Sequence, residues 1–134
     1  MLYAIHNGFV EGYAGGQEQV LHLVGSAEAV AKEGLRYCFT DGHAEIVFSV
    51  FFEDVADLPK VDWDVMKAQY WSDYKTDPDR KRRRQAEFLV HGFFPWKMLT
   101  QIGVSNERVA KETEKAIVGC LHKPFIVVAK QWYY

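Results

Sequence analysis

Arg82-Arg83-Arg84-Gln85-Ala86-Glu87-Phe88-Leu89-Val90 passes from a block of cations into apolar sequence within a few residues. Aromatic and β-branched side chains favour extended backbone, and the composition predicts a strand over residues 86–94. Side chains alternate across a strand. Ala86, Phe88 and Val90 then share one face, and Glu87, Leu89 and His91 the other. Glu87 is the lone acid of this apolar segment. Acids are rarely placed in such a strand without a partner or a task. Two readings follow: an edge-strand glutamate facing water or an arginine, or a carboxylate with chemical work to do.

Outward from this run, the pattern is mixed. Residues 2–10 suit a short helix or a strand. Gln19–Val24 is short and apolar and follows Gly15-Gly16, so it reads as a strand. Ser26 is placed to cap a helix running to Glu33 and ended by Gly34. Arg36–Thr40 reads as a strand stopped at Asp41-Gly42. From His43, Ala44, Val47, Phe48 and Phe51 fall at helical spacing, whereas the composition of Ile46–Phe52 suits a strand. The helix is the reading adopted. Asp62 is expected to cap a helix through Tyr70. Residues 72–84 carry no apolar period and contain Asp77-Pro78-Asp79, so a loop is expected. Pro95 opens a helical turn, and Thr100–Val104 reads as a strand. Ser105 or Asn106 caps a helix to about Leu121 with Val109, Ala116, Ile117 and Cys120 inward. Pro124–Lys130 is a last strand. The fold class predicted is α+β, a mixed β-sheet core with flanking helices, in one domain over residues 1–134.

Composition excludes several classes. With 134 residues and 49% apolar content the chain is large and apolar enough for a core. No stretch approaches the ~18 apolar residues of a membrane span, and the N-terminus lacks the pattern of a secretion signal. Cys38 and Cys120 stand far apart in apolar surroundings, which predicts free thiols and a cytoplasmic setting. The histidines show no metal-ligand spacing and the cysteines no CxxC, so no metal site is expected. Net charge is −2, but residues 72–84 hold three aspartates against six bases, a local +3 on a body of −5. Such a local basic element attracts phosphate whatever the overall sign.

The motif series resembles the DarT-type DNA ADP-ribosyltransferases. It comprises Thr-Asp-Gly-His-Ala at residues 40–44, Leu-x-x-Val-Asp-Trp at 58–63, and Tyr70-Trp71. The acidic-then-basic run Asp77 to Val90 follows, then Phe-Pro-Trp at 94–96, Ile-Gly-Val at 102–104 and a closing Trp-Tyr-Tyr at 132–134. The resemblance implies an ADP-ribosyltransferase-like fold, shortened at its N-terminus. It also implies transfer of ADP-ribose from NAD, as co-substrate, to thymine in single-stranded DNA. The family's catalytic glutamate matches Glu87, and its substrate-facing loop matches residues 72–85. Family members act as toxins opposed by a macrodomain antitoxin.

Within that expectation, a carboxylate beside the ribose offsets the positive charge that builds as nicotinamide departs. Lys75, Arg80, Arg82, Arg83 and Arg84 are candidates for DNA phosphates, and Tyr70, Trp71 and Tyr74 for stacking on bases. The plain alternatives are a solvated loop and core aromatics. His43 reads either as a residue orienting NAD or the target base, or as a helix cap. Full-length family members begin with a further segment carrying a histidine that helps hold NAD and, beyond it, a catalytic arginine. Nothing in this chain aligns with either, so apolar surface is expected where that segment packs, favouring a homodimer or poor solubility. The competing function is a catalytically inactive nucleic-acid-binding module.

Overall fold

The computed structural model of the chain describes every residue except Met1, Gln69 and Trp71. In chain order its helices are α1 (Leu2–His6), α2 (Ala27–Lys32), α3 (Trp63–Lys67), α4 (Arg80–Arg83) and α5 (Glu107–Ala116). Its strands are β1 (His22–Val24), β2 (Tyr37–Thr40), β3 (Phe51–Phe52), β4 (Phe88–Val90), β5 (Gln101–Val104) and β6 (Phe125–Val128). They fall into two compact units. One joins the chain up to Ser26 to residues 95–134; the other is residues 27–94. The mixed α+β class expected from sequence is what is found, with one three-stranded sheet in each unit.

In the first unit β5 is central, antiparallel to β1 and parallel to β6. Parallel neighbours need a crossover, and α5 supplies it. Asn106 starts that helix, its Oδ1 accepting from the Val109 N–H at 3.1 Å. Val109 and Ala110 pack with Ile102 and Val104 in a core that also takes in Ile117, Ile126 and Val128. The helix stops at Ala116 rather than near Leu121, because Ile117-Val118-Gly119 is a β-branched pair followed by glycine. Ala116, expected inward, is exposed; Thr113 is buried instead. Gly103 is held against Trp132: a Cβ there would lie 2.3 Å from the indole Cζ3.

In the second unit β2 is central, between β3 and β4 and antiparallel to both. Register sets Phe39 opposite both Phe52 and Phe88. The three rings stack on one face, at 5.1 Å for Phe39–Phe52 and 6.0 Å for Phe39–Phe88, and Tyr37 adds to Phe88 at 5.1 Å. Phe39 is 1% exposed. Asp62 caps α3 as expected, accepting from the Val65 N–H at 3.0 Å, but the helix ends at Lys67.

Three local expectations are corrected. Residues 43–50 form turns, not a helix. A helix there would have no face to bury, since Val47 and Phe48 are 92% and 84% exposed. Side chains close the turn instead: Asp41 Oδ1 accepts from the Val50 N–H at 2.9 Å, and the Ser49 hydroxyl donates to the His43 carbonyl at 2.7 Å. Within the expected loop 72–84, Arg80–Arg83 is one helical turn, α4. Neighbouring aspartates neutralise repulsion among its cations. The strand expected over residues 86–94 is also short, leaving Glu87 one residue ahead of β4.

Candidate active site

Glu87 continues the β2–β4 ladder past the end of β4. Its carbonyl accepts from the Thr40 N–H at 2.9 Å, and its own N–H donates to Thr40 Oγ1 at 3.0 Å. Thr40, 1% exposed, then donates through the same hydroxyl to the Gly42 carbonyl at 2.5 Å. One threonine thus ties the glutamate backbone to the start of the 41–50 turn. Strand alternation sends the Glu87 side chain away from the Phe39–Phe88 face, and it is exposed. Its Oε2 accepts from the Ala44 N–H at 2.9 Å. Its Oε1 has no hydrogen-bond partner among the described residues. One carboxylate oxygen is anchored and the other is left open.

His43 precedes Ala44 in the turn. Its backbone N–H donates to the Arg82 carbonyl at 3.1 Å. Its ring Nδ1 accepts from the Glu45 N–H at 3.2 Å. An imidazole whose Nδ1 accepts carries its proton on Nε2 when neutral, so the ring of the residue preceding Ala44 offers an Nε2–H donor.

The basic run behaves differently from a row of solvated cations. Arg82 grips Asp79 with two bonds, Nε to Oδ1 at 2.7 Å and Nη2 to Oδ2 at 2.8 Å. Its Nη1 reaches Asp41 Oδ1 at 2.9 Å and Ser49 Oγ at 3.3 Å. These bonds hold the Asp79 carboxyl below the usual carboxylate range, and the Asp79 carboxylate first of all raises the Arg82 guanidinium. Arg83 donates to both Asp77 and Asp62, and its bond to the Asp77 carboxylate is the chief cause of its own upward shift. Arg84 donates to the Met66 carbonyl. Arg80 donates through Nε to the Tyr70 carbonyl at 3.1 Å and lies 5.6 Å from the centre of the Tyr74 ring. The sequence reading offered all four arginines to phosphate; the structure ties Arg82 and Arg83 to carboxylates by hydrogen bonds and pairs Arg80 Nη1 with Asp77 Oδ2 at 3.6 Å. The Lys75 side chain is exposed, with no ion pair among the described residues. Tyr70 and Tyr74 are exposed; Trp71, the third aromatic candidate, lies outside the described residues.

Thr40, Asp41, Gly42 and Ser49 were not individually singled out in the sequence, although the first three lie in its Thr-Asp-Gly-His-Ala motif. What marks them is a pattern of contacts to residues some forty positions away. Among the described residues no group of three or more His, Cys, Asp or Glu side chains is placed to hold a metal. No helix among them is long and apolar enough to cross a membrane.

Comparison with known proteins follows the same lines. The family described as "ssDNA thymidine ADP-ribosyltransferase, DarT" matches residues 1–134. A DNA ADP-ribosyl transferase of Thermus sp. (strain 2.9) is 42% identical over 136 residues, a match covering all of this chain and 63% of that protein. One of Thermus aquaticus is 38% identical, covering all of this chain and 58% of its own length. The solved structure of Thermus sp. 2.9 DarT in complex with NAD+ matches at TM-score 0.93 and 41% identity, over 99% of this chain and 66% of that one. The complex of Thermus sp. 2.9 DarT with ADP-ribosylated ssDNA matches equally, over 63% of its length. The chain therefore spans roughly three fifths of the curated relatives it matches.

Proposed function

The chain belongs to the DarT family, and from that premise we propose that it transfers ADP-ribose from NAD to a thymine base of single-stranded DNA, with Glu87 as the catalytic carboxylate. The observation that carries the proposal is the asymmetry of the Glu87 carboxylate, with Oε2 fixed by the Ala44 N–H and Oε1 open. A carboxylate with one oxygen pinned is pre-oriented, so its charge is in place before the reaction begins. The open oxygen suits a ribose hydroxyl. The negative charge offsets the positive charge that develops on the sugar as the bond to nicotinamide breaks.

The remaining residues take roles consistent with their surroundings. His43, through its Nε2–H, orients NAD or the target base by donating to a carbonyl. Lys75 offers the DNA backbone an exposed point charge, Arg80 and Arg84 add positive charge beside it while bonding the Tyr70 and Met66 carbonyls, and Tyr70 and Tyr74 give base-stacking surfaces. Trp71 joins that aromatic set by its place in the sequence. The Thermus relatives solved with NAD+ and with ADP-ribosylated ssDNA support both substrates.

The proposal extends to the setting. Free Cys38 and Cys120 suit a reducing, cytoplasmic compartment. A macrodomain antitoxin that removes the modification follows from the family resemblance. Exposed Phe9, Leu121 and Phe125 in the first unit suit self-association.

The test is mass spectrometry of a thymine-containing single-stranded oligonucleotide incubated with the protein and NAD, beside Glu87→Gln. An adduct of ADP-ribose mass that Glu87→Gln fails to form is the expected result. An adduct that persists with Glu87→Gln overturns the role of Glu87. Folded wild-type protein that forms no adduct overturns the activity of this chain and leaves the binding-module reading.

A further inference from the structure

Resting on the reading of Glu87 just given, we infer that Arg82 is a positioning residue, one that holds the catalytic carboxylate through a turn instead of contacting nucleic acid. Four observations converge on it. Its guanidinium bridges Asp41 and Ser49, the two ends of the 41–50 turn. Its carbonyl accepts from the His43 N–H inside that turn at 3.1 Å. The turn presents the Ala44 N–H to Glu87 Oε2 at 2.9 Å. Gly42 makes the approach possible: a Cβ at that position would lie 2.3 Å from Arg82 Nη1, 2.9 Å from Cγ and 3.0 Å from Cζ.

The physical logic is that of a clamp. An exposed glutamate on its own samples several rotamers. One donor on a rigid turn selects among them, and the turn is rigid only while both of its ends are held. Asp41 Oδ1 takes part on both sides, accepting from the Val50 N–H and from Arg82. Asp79 completes the clamp by engaging the other edge of the guanidinium, which fixes its plane. Lysine carries the same charge but lacks the planar fork, so it cannot bridge Asp79, Asp41 and Ser49 together. The family motif Thr-Asp-Gly-His-Ala thereby acquires a division of labour: an acceptor for Arg82 at Asp41, clearance for it at Gly42, and the donor for Glu87 at Ala44.

The experiment compares Arg82→Lys, Asp41→Asn and their combination with Lys75→Ala. It measures kcat and KM for the oligonucleotide, the salt dependence of oligonucleotide affinity, and hydrogen exchange of the Ala44 amide. Positioning predicts that Arg82→Lys and Asp41→Asn each lower kcat about ten- to a hundredfold. KM stays within about twofold, the salt slope is unchanged, and the double variant is no worse than either single one. Ala44 exchange accelerates about tenfold in both. Lys75→Ala instead lowers the salt slope by about one unit.

A phosphate contact predicts the reverse. Arg82→Lys would keep most of its effect, and Asp41→Asn would free the arginine and tighten DNA binding. That pattern, or unchanged Ala44 exchange, overturns the inference. Should wild-type protein form no adduct, the proposed activity falls, and exchange at Ala44 alone decides the role of Arg82. Circular dichroism checks folding, and Asp41→Asn, which keeps its volume, carries the test should Arg82→Lys fail to fold.

Discussion

Replacing Thr40 by valine removes one hydroxyl and almost no volume, so its cost isolates two hydrogen bonds. Thr40 Oγ1 accepts from the Glu87 N–H at 3.0 Å and donates to the Gly42 carbonyl at 2.5 Å. The Gly42 residue is buried, so its carbonyl loses a partner that water replaces poorly, at about 1–3 kcal/mol. The Glu87 N–H belongs to an exposed residue, and its loss costs about 1 kcal/mol or less. Thr40→Val should therefore destabilise by about 2–3 kcal/mol. Thr40→Ser keeps the hydroxyl and loses only a buried methyl, about 1 kcal/mol. Urea unfolding of the three proteins at neutral pH measures both differences from the shift in midpoint. The ordering matters more than either value: valine must cost more than serine. Equal midpoints for the two variants, or a more stable valine variant, would refute the claim that this hydroxyl joins the glutamate strand to the turn.

Further expectations concern the first unit. Asn106→Ala removes the cap of α5 and should cost about 1 kcal/mol, with Asn106→Ser recovering most of it in the same urea titration. Gly103→Ala must displace the Trp132 indole, costing about 1–3 kcal/mol by overpacking and altering near-ultraviolet circular dichroism; an unchanged spectrum contradicts the close approach. His22 lies edge-on to Trp132 and Tyr133, with its Nε2 buried and unpartnered, and burial lowers its imidazole from the ordinary 6.5. The unfolded chain then takes up the proton first as pH falls. Stability from this group is complete above about pH 6.5 and declines as pH drops through the lower folded value. Melting of wild type against His22→Phe across that window should show a slope in the former that is flatter in the latter.

Local signals made part of this architecture readable in advance. The strand at Tyr37–Thr40, the strand at Gln101–Val104 and the caps at Asp62 and Asn106 depend on neighbours a few residues away, and sequence pattern reports such neighbours. The 43–50 turn depends on Arg82, far along the chain, so its helical spacing of Ala44, Val47 and Phe48 misled. Glu87 was legible as an acid out of place in apolar sequence. The hydrogen bond to its side chain was not, since a backbone N–H leaves no signature in composition. The basic run was the most ambiguous: arginines count equally whether they face water or carboxylates. The interleaved Asp73, Asp77 and Asp79 were the available clue, but Asp41 and Asp62 complete the pairing and lie distant in sequence.

The order of strands along the chain has a consequence for synthesis. The second unit owns all three of its strands once residue 90 has been made, so its sheet can close while the chain is still growing. The first unit begins earlier yet finishes last: His22 waits for Gly103, and Ile102 for Ile126. Its opening segment must stay unpaired while the whole of residues 27–94 is added, and closing so long a loop is entropically costly and slow. Assembled in this order, the strand bearing Glu87 is in place on one unit before the other unit exists as a fold, and the β5–β6 pairing is complete only after synthesis passes residue 128.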